Sequence, residues 1–298
     1  ETFPIWNLPL KHPVNIAYEA ATADLADVNM VDPYHLEAYG KTAVNYNRDV
    51  EIFPVVKRIC ARIMEPEQLY QSPTDMGVNR VGFAISDDRV VREASIQEII
   101  RRYFRYMADY ATGTADKAAV DRVKLLMDDL GVTELDRKVV APARKAAKEA
   151  ETQGKGNNNV YCGAALELPD GTIVTGKNSP LLHAASSCIL NAIKLLAKLP
   201  DDLLMLSPEV IDSVSQLKKN VFKNREVSLD LAETLTALSV SVPTNSAARL
   251  AMRKLPQLAG CEMHISHLPT AGDEAGLRKL GIRLTSEPVF TSRNLFME

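Results

Sequence analysis

The pattern of apolar and polar residues changes near residue 155, from helical spacing to a mixture of strand and helix. Before that point, Ser95-Ile96-Gln97-Glu98 has the residues of a helix capping box, and the apolar residues after it recur at three- and four-residue intervals. They fall on one predicted helix face: Ile96, Ile99, Ile100, Tyr103, Phe104 and Met107. Further helices are predicted over about 115–130 and about 133–150. Residues 65–155 are therefore predicted to form a helical bundle.

The polar run Gln153-Gly154-Lys155-Gly156-Asn157-Asn158-Asn159 suits neither a helix nor a buried strand, so it is the predicted domain boundary. After it, Pro169-Asp170-Gly171 separates two short apolar segments and predicts a β-hairpin. Ser179-Pro180 has the residues of a helix start, and so does Ser207-Pro208.

The end of the chain reads as strand, helix and strand, over 261–267, 272–280 and 282–286. That order predicts a parallel strand pair joined by a helical crossover. We therefore predict an α/β fold, α+β overall, in which a helical region precedes a three-layer α/β/α domain at 156–298.

Bulk properties narrow the class of protein. A chain of 298 residues can form two or three units, and its formal charge of -3 comes without a basic block. Nucleic-acid and membrane partners are therefore not expected. Four widely spaced cysteines, without a signal-like segment, predict reduced thiols and a cytoplasmic location. The chain begins with Glu1 rather than Met, so we expect residues 1–64 to be the largely helical remainder of an amino-terminal α/β region.

Three motifs carry a family resemblance: Asn45-Tyr46-Asn47-Arg48-Asp49-Val50-Glu51-Ile52-Phe53-Pro54, Ser72-Pro73-Thr74-Asp75-Met76-Gly77-Val78-Asn79, and Tyr161-Cys162-Gly163-Ala164-Ala165-Leu166-Glu167-Leu168-Pro169-Asp170-Gly171. Together they resemble the bacterial family known as domain of unknown function 1846, along the whole chain. The resemblance implies a longer protein with a further amino-terminal α/β region, and a last part with a cytidine-deaminase-like three-layer fold. It brings no established activity.

The deaminase chemistry implied by that fold needs particular zinc ligands and a proton-shuttling glutamate. The signature is a His or Cys with a Glu two residues later, completed by Pro-Cys-x-x-Cys. With His183 as the ligand, Ala185 stands at the glutamate position, and with Cys188 it is Leu190. The sequence contains no Cys-x-x-Cys, so no zinc cofactor is expected and the cofactor is left unknown.

Polar residues near predicted helix and strand ends are the candidate ligand-binding groups. The candidates in the second half are Lys177, Asn178, His183, Thr244, Asn245 and His267. Those in the first half are Arg48, Asp49, Asp75 and Asn79. A helix start at His183 favours an anionic group, and Arg48 could clamp a phosphate. The competing interpretation is that these side chains only cap helices and tie loops together.

Cys261 and His264 have the spacing of metal ligands, but strand alternation would direct them to opposite faces and leave His267 or His264 near a sheet crevice.

The leading hypothesis is a protein or enzyme that binds a small anionic metabolite, including nucleotide-like ones, between the helical part and the α/β domain. The rival hypothesis is a non-catalytic regulatory or assembly module. A homo-oligomer is expected in either case.

Overall fold

The computed structural model describes residues 88–224 and 226–291, with side chains from Ile96 onward. The chain divides into two compact units, Glu1–Arg137 and Lys138–Glu298. The predicted amino-terminal region at 1–64 lies outside the described residues.

The described part of the first unit consists of two helices and a short turn. Helix α1 spans Asp88–Ala111, α2 spans Lys117–Leu130, and a 3-10 turn covers Glu134–Asp136. The predicted apolar face is buried at Ile99, Ile100, Tyr103 and Phe104. The predicted start of α1 is wrong, because the helix is already formed seven residues before Ser95. Glu98 forms an ion pair with Arg101 at 2.7 Å, one turn further along the same helix.

The second unit is a mixed α/β structure with a four-stranded sheet. Its elements are α3 Val140–Thr152, β1 Gly163–Glu167, β2 Ile173–Lys177, α4 Ala184–Leu196, α5 Pro208–Gln216, a π-helical turn Leu217–Val221, α6 Leu231–Ser241, α7 Ser246–Met252, a 3-10 turn Leu255–Leu258, β3 Glu262–Ile265, α8 Ala271–Lys279 and β4 Arg283–Ser286. The strand order is β2-β1-β3-β4. β1 is antiparallel to β2 and to β3, whereas β3 and β4 are parallel, as the strand-helix-strand pattern predicted.

Helices pack against both faces of the sheet. On one face, Ala165 packs against Val139 and Ala143 at the start of α3. On the other face, Ala164 and Leu166 belong to the large core that includes α4. Because α3 belongs with the sheet, the units divide at Arg137 and Lys138, earlier than the predicted boundary at 153–159. Helical periodicity showed the apolar face of α3 but not which surface that face would contact.

Two glycines let both helices approach the hairpin closely. A Cβ atom at Gly163 would overlap the backbone of Ala143 and Ala147 in α3, and one at Gly176 would overlap the backbone of Cys188 in α4. Neither contact involves a flexible side chain that could move aside. The hairpin backbone is therefore packed directly against helix backbone on both sides.

The hairpin turn forms as its residues predicted. Gly171 adopts a left-handed conformation with φ of 83°, and its N–H donates to the carbonyl of Leu168 at 2.8 Å. Asp170 accepts a hydrogen bond from the N–H of Thr172 at 2.9 Å.

The start of α4 differs from the prediction at Ser179-Pro180. The Ser179 hydroxyl accepts hydrogen bonds from the N–H groups of Leu181 and Leu182, and the helix begins only after His183. The delay arises because residues 181–183 pair with Leu229: its N–H donates to Leu181, and His183 donates to its carbonyl. His183 is consequently the cap residue of α4.

A buried polar network ties α3 to the edge of the sheet. His264 is fully buried, with Nδ1 2.9 Å from the Thr285 hydroxyl and Nε2 3.1 Å from Glu287 Oε1. Arg144 of α3 donates through Nε to the same Glu287 oxygen at 2.6 Å. Burial raises the pKa of Glu287, but hydrogen bonds and charge from His264 and Arg144 outweigh it, so the pKa lies below its ordinary value.

We expect Gly176→Ala to lower the free energy of unfolding by about 1–3 kcal/mol, because the added methyl group must displace helix backbone. Urea unfolding followed by circular dichroism measures the change. Thr175→Ala is the matched control on the same strand; Thr175 is exposed, and its loss should cost about 1 kcal/mol or less. Equal stability of Gly176→Ala and wild type would contradict the close packing of α4 on β2.

We expect Glu287→Gln to destabilise the protein most at neutral pH and progressively less as the pH falls below about 4.5, the ordinary pKa of the carboxyl. A carboxyl whose pKa is lower in the folded than in the unfolded state stabilises the fold at pH values above its unfolded-state pKa. That stabilisation is lost as the pH falls through the folded-state pKa. Urea unfolding at several pH values tests this, with the exposed Glu151→Gln as control. A pH-independent difference would refute the proposed role of the ionised Glu287.

Candidate functional site

The amino ends of three helices meet in the second unit. α4 begins after His183, α6 after Asp230 and α8 after Thr270. The N–H of Leu231, the first residue of α6, donates to Asp273 Oδ1 at 2.9 Å, and a Cβ atom at Gly272 would overlap the Asp230 carboxylate. Because helix amino ends carry partial positive charge, the two aspartates offset it where the helices converge.

Asp273 is the central acceptor of this cluster. Its side chain is 7% exposed, and Oδ2 lies 2.7 Å from His183 Nδ1 and accepts from the Thr270 hydroxyl at 2.8 Å. With the Leu231 N–H on the other oxygen, three donors surround the carboxylate. The aspartate therefore has little freedom to rotate, and it fixes the orientation of the imidazole.

His183 is positioned to exchange a proton. Burial lowers its pKa, but the hydrogen bond and charge of Asp273, together with the charge of Asp230, outweigh this, so the pKa of His183 lies above its ordinary value. The ring is 17% exposed. Within residues 88–224 and 226–291, Nε2 makes no hydrogen bond. The geometry favours a neutral tautomer with the proton on Nδ1, which leaves Nε2 as an acceptor.

Further ionisable groups surround the pair. Burial, together with the charges of Glu233 and Asp273, raises the pKa of Asp230. Lys218 extends from the π-helical turn with its side chain only 8% exposed, and Nζ donates to the Ser228 carbonyl at 2.6 Å and to Glu233 at 2.7 Å. Its charge opposes the protonation of His183. The protonation state of the histidine is thus influenced by charged groups from α8, the start of α6 and the π-helical turn.

A second histidine, His267, follows two residues after the end of β3. The Ser266 hydroxyl accepts the N–H of Gly163 at 2.9 Å and lies 3.0 Å from His267 Nδ1 and 3.6 Å from the Cys162 sulfur. Burial raises the pKa of Cys162 to about 11, and the nearby charge of Asp273 contributes to the rise. The Cys162 thiol is therefore protonated at neutral pH.

His267 is held in its neutral form. Burial lowers its pKa, and the charge of Glu287 opposes the shift only in part. Its Nδ1 is close to the Ser266 hydroxyl, and in the part of the chain that the structure describes Nε2 has no hydrogen-bond partner. In both His183 and His267, Nε2 is therefore left without a hydrogen bond to any residue that the structure describes.

Lys177 and Asn178 make structural contacts at a separate cleft of about 400 Å³, lined also by residues 154–156, Ser179 and Pro180. Lys177 forms an ion pair with Glu149 at 2.9 Å. Asn178 uses both side-chain atoms, accepting from the Cys162 N–H at 2.8 Å and donating to the Val160 carbonyl at 2.9 Å. Because these groups are engaged within the fold, we place the candidate site at His183 rather than at the cleft.

Asn245 caps α7, and its neighbour Thr244 is exposed. The Asn245 side-chain oxygen accepts from the N–H groups of Ala247 and Ala248, and its amide donates to the carbonyl of Leu204 at 2.9 Å. The Thr244 hydroxyl contacts the Ser241 carbonyl at 3.4 Å. Of the second-half candidates, only His183 contacts Asp273, whereas His267 contacts Ser266. The remaining candidates, Arg48, Asp49, Asp75 and Asn79, lie outside the described residues.

Strand alternation separates Cys261 from His264, as predicted. Cys261, Met263 and Ile265 belong to the large core, whereas His264 takes part in the network with Glu287 on the α3 side. Among the residues that the structure describes, no group of three or more His, Cys, Asp or Glu side chains could hold a metal ion.

The sequence interpretation missed Asp273, Asp230 and Lys218. Thr270 and Asp273 have the spacing of helix-capping residues, and so do Asp230 and Glu233. This spacing predicts contacts within each helix start. It carries no information about Asp273 contacting α4 and α6, which are distant along the chain.

No helix among the described residues is both long enough and apolar enough to cross a membrane. The family model described as "Domain of unknown function DUF1846, N-terminal" matches residues 1–131, and the corresponding C-terminal model matches residues 135–296.

Curated relatives match over nearly all of the chain. A UPF0371 protein of Clostridium botulinum (strain Alaska E43 / Type E3) is 52% identical over 297 residues, which is 99% of this chain and 59% of that protein. UPF0371 proteins of Fusobacterium nucleatum subsp. nucleatum and Clostridioides difficile (strain 630) are 52% and 50% identical, with the same coverage. The chain thus spans about 59% of the length of these relatives. With both family models matched and identities of this size, the chain belongs to the DUF1846 family, as its three motifs indicated.

Proposed function

We propose that the second unit binds a small polar metabolite at His183 and performs acid–base chemistry on it without zinc. The observation that carries the proposal is the 2.7 Å contact between His183 Nδ1 and Asp273 Oδ2, with Nε2 left unbonded within the described residues. A histidine oriented by a carboxylate is a common general base, because the carboxylate fixes the tautomer and stabilises the imidazolium that forms.

His267 complements His183 in this proposal. The one proton of the Ser266 hydroxyl can go to the Cys162 sulfur at 3.6 Å or to His267 Nδ1 at 3.0 Å. We assign it to His267, because nitrogen is the stronger acceptor and the contact is shorter, which leaves the ring proton of His267 on Nε2. His183 then offers an acceptor and His267 a donor. A fitting ligand carries a hydrogen-bond donor near an oxygen acceptor, as in a hydroxyl beside a phosphoryl or carbonyl oxygen. Small anionic metabolites, nucleotides among them, have both groups, and helix amino ends favour the anionic oxygen.

The layered deaminase scaffold is the framework that we propose for this site. The strand order β2-β1-β3-β4 with helices on both faces supports it. His183-Ala184-Ala185 would correspond to His-x-Glu, and Pro269-Thr270-Ala271-Gly272-Asp273 would correspond to Pro-Cys-x-x-Cys. In that alignment a threonine and an aspartate replace the two thiolates, and both take part in hydrogen bonds around the histidine instead of binding a metal.

A second candidate function is assembly without catalysis. Its support is a set of exposed apolar side chains around α5, including Leu204, Val221 and Phe222. Assembly by itself would not interfere with ligand binding, since the His183 cluster and this surface use different side chains.

We expect a nucleoside monophosphate or sugar phosphate to raise the thermal midpoint of the wild-type protein, and His183→Gln to remove most of that shift. Differential scanning fluorimetry with a panel of both compound classes, followed by calorimetric titration of the best compound, measures the effect. The exposed Thr175→Ala serves as control and should bind like wild type. Binding that is unchanged in both His183→Gln and His267→Gln would exclude this site.

We expect the His183 imidazole to titrate above its ordinary pKa of 6.5, and Asp273→Asn to lower that value. Because the pKa of His183 is raised on folding, the protonated ring stabilises the folded protein below about pH 6.5. This stabilisation is lost as the pH rises through the folded-state pKa. Proton–nitrogen correlation spectra of the histidine rings across pH 5–9 report both the tautomer and the titration. An identical pKa in wild type and Asp273→Asn would show that the carboxylate does not control the histidine.

A further inference from the structure

Helix α5 and its flanking segments carry exposed apolar side chains, and the segments before and after the helix differ in charge. Asp201-Asp202-Leu203-Leu204, which we term the acidic end, precedes α5, and all four residues are exposed. Leu217, Lys219, Val221, Phe222 and Lys223, which we term the basic end, lie in and after the π-helical turn and are also exposed. Together with α5 they form the α5 strip.

Large apolar side chains are exposed at both ends of the α5 strip. Leu204 is 66% exposed, Val221 is 64% exposed and Phe222 is 59% exposed. Every residue of α5 itself is at least partly exposed. Clustered exposed side chains of this size are typical of contact surfaces, because leaving them in water costs free energy that association recovers.

Charge follows the same direction along the strip. The acidic end has Asp201 and Asp202, and the first half of α5 adds Glu209 and Asp212, all exposed. The basic end has Lys219 and Lys223, both exposed, whereas Lys218 between them is buried against Glu233. The strip is therefore self-complementary: its acidic half matches its basic half in charge, and both halves carry exposed leucine, valine or phenylalanine.

We propose that the α5 strip binds the α5 strip of a second copy of this chain, with the two α5 helices antiparallel across a two-fold axis. In such an arrangement each residue pair occurs twice, so the acidic end of one copy contacts the basic end of the other. Helix α5 and the π-helical turn extend over roughly 20 Å at 1.5 Å per residue, which separates the two ends enough to form two contacts. Antiparallel helix dipoles reinforce the pairing.

The proposed dimer buries Leu203, Leu204, Val221 and Phe222, and none of these side chains takes part in the hydrogen bonds around His183 or His267. Self-association and ligand binding are therefore separate properties, and either can fail in experiment without the other. Added salt screens the charged pairs but not the apolar contact, so it weakens the dimer without abolishing it.

Sedimentation equilibrium on the full chain at low ionic strength tests the proposal. We expect wild type to dimerise and Phe222→Glu to weaken the dimer at least about tenfold, or about 1.4 kcal/mol. Leu135→Glu, an equally exposed leucine of the first unit at 60%, is the control and should dimerise like wild type. A monomeric wild type, or a dimer indifferent to Phe222→Glu, overturns the proposal. A monomer that binds phosphatidylserine vesicles through Phe222 also overturns it and assigns the strip to a membrane surface.

Charge exchange tests the antiparallel arrangement. The double variants Asp201→Lys/Asp202→Lys and Lys219→Glu/Lys223→Glu should each dimerise at least about tenfold more weakly, because like charges then face each other. An equimolar mixture of the two should form a heterodimer, and the quadruple variant should recover self-association. Recovery in both cases supports the two-fold contact. Failure of both, with unchanged circular dichroism spectra, refutes it.

Discussion

The buried carboxylate of Asp273 is the interaction on which the candidate site depends. It accepts from Thr270 within its own helix, from the amide of Leu231 at the start of α6 and from His183 at the start of α4. A single side chain thereby joins three helix amino ends. Leaving any of these donors unmatched in the interior would cost free energy, so the carboxylate also holds the helices in register. Stability and the orientation of His183 thus have the same physical origin.

The helix ends can converge because the helices pack closely on the β1–β2 hairpin. Gly163 and Gly176 lack side chains where α3 and α4 contact the strands, so helix backbone rests on strand backbone from both sides. The network of His264, Glu287 and Arg144 then fixes α3 to β3 and to the residue after β4. As a result, the ends of β3 and α4 are held by packing on both faces, and His183 and His267 are positioned on a rigid framework.

Family membership and the site chemistry complement each other. The DUF1846 models and the curated UPF0371 relatives establish the family, whereas the geometry around Asp273 supplies a chemical hypothesis. In that hypothesis Thr270 and Asp273 direct a proton on a histidine at positions where a deaminase would place thiolates on zinc. The α5 strip adds a physically independent property, since exposed apolar groups and a charge gradient act between molecules rather than on a ligand.

The sequence by itself determined the local features: the apolar face of α1, the hairpin turn at Gly171, the cap at Ser207-Pro208 and the parallel strand pair around α8. The first three depend on neighbours within a few residues, which periodicity and capping rules describe, and the strand pair follows from the order of strand, helix and strand. The sequence also indicated His183 and His267 as candidate ligand-binding residues. Only the tertiary structure decided that α3 covers the sheet, that α4 begins after His183 and that Asp273 is the partner of His183. Those outcomes arise from contacts between residues distant along the chain, such as Leu182 with Leu229 and His183 with Asp273, for which local spacing carries no signal.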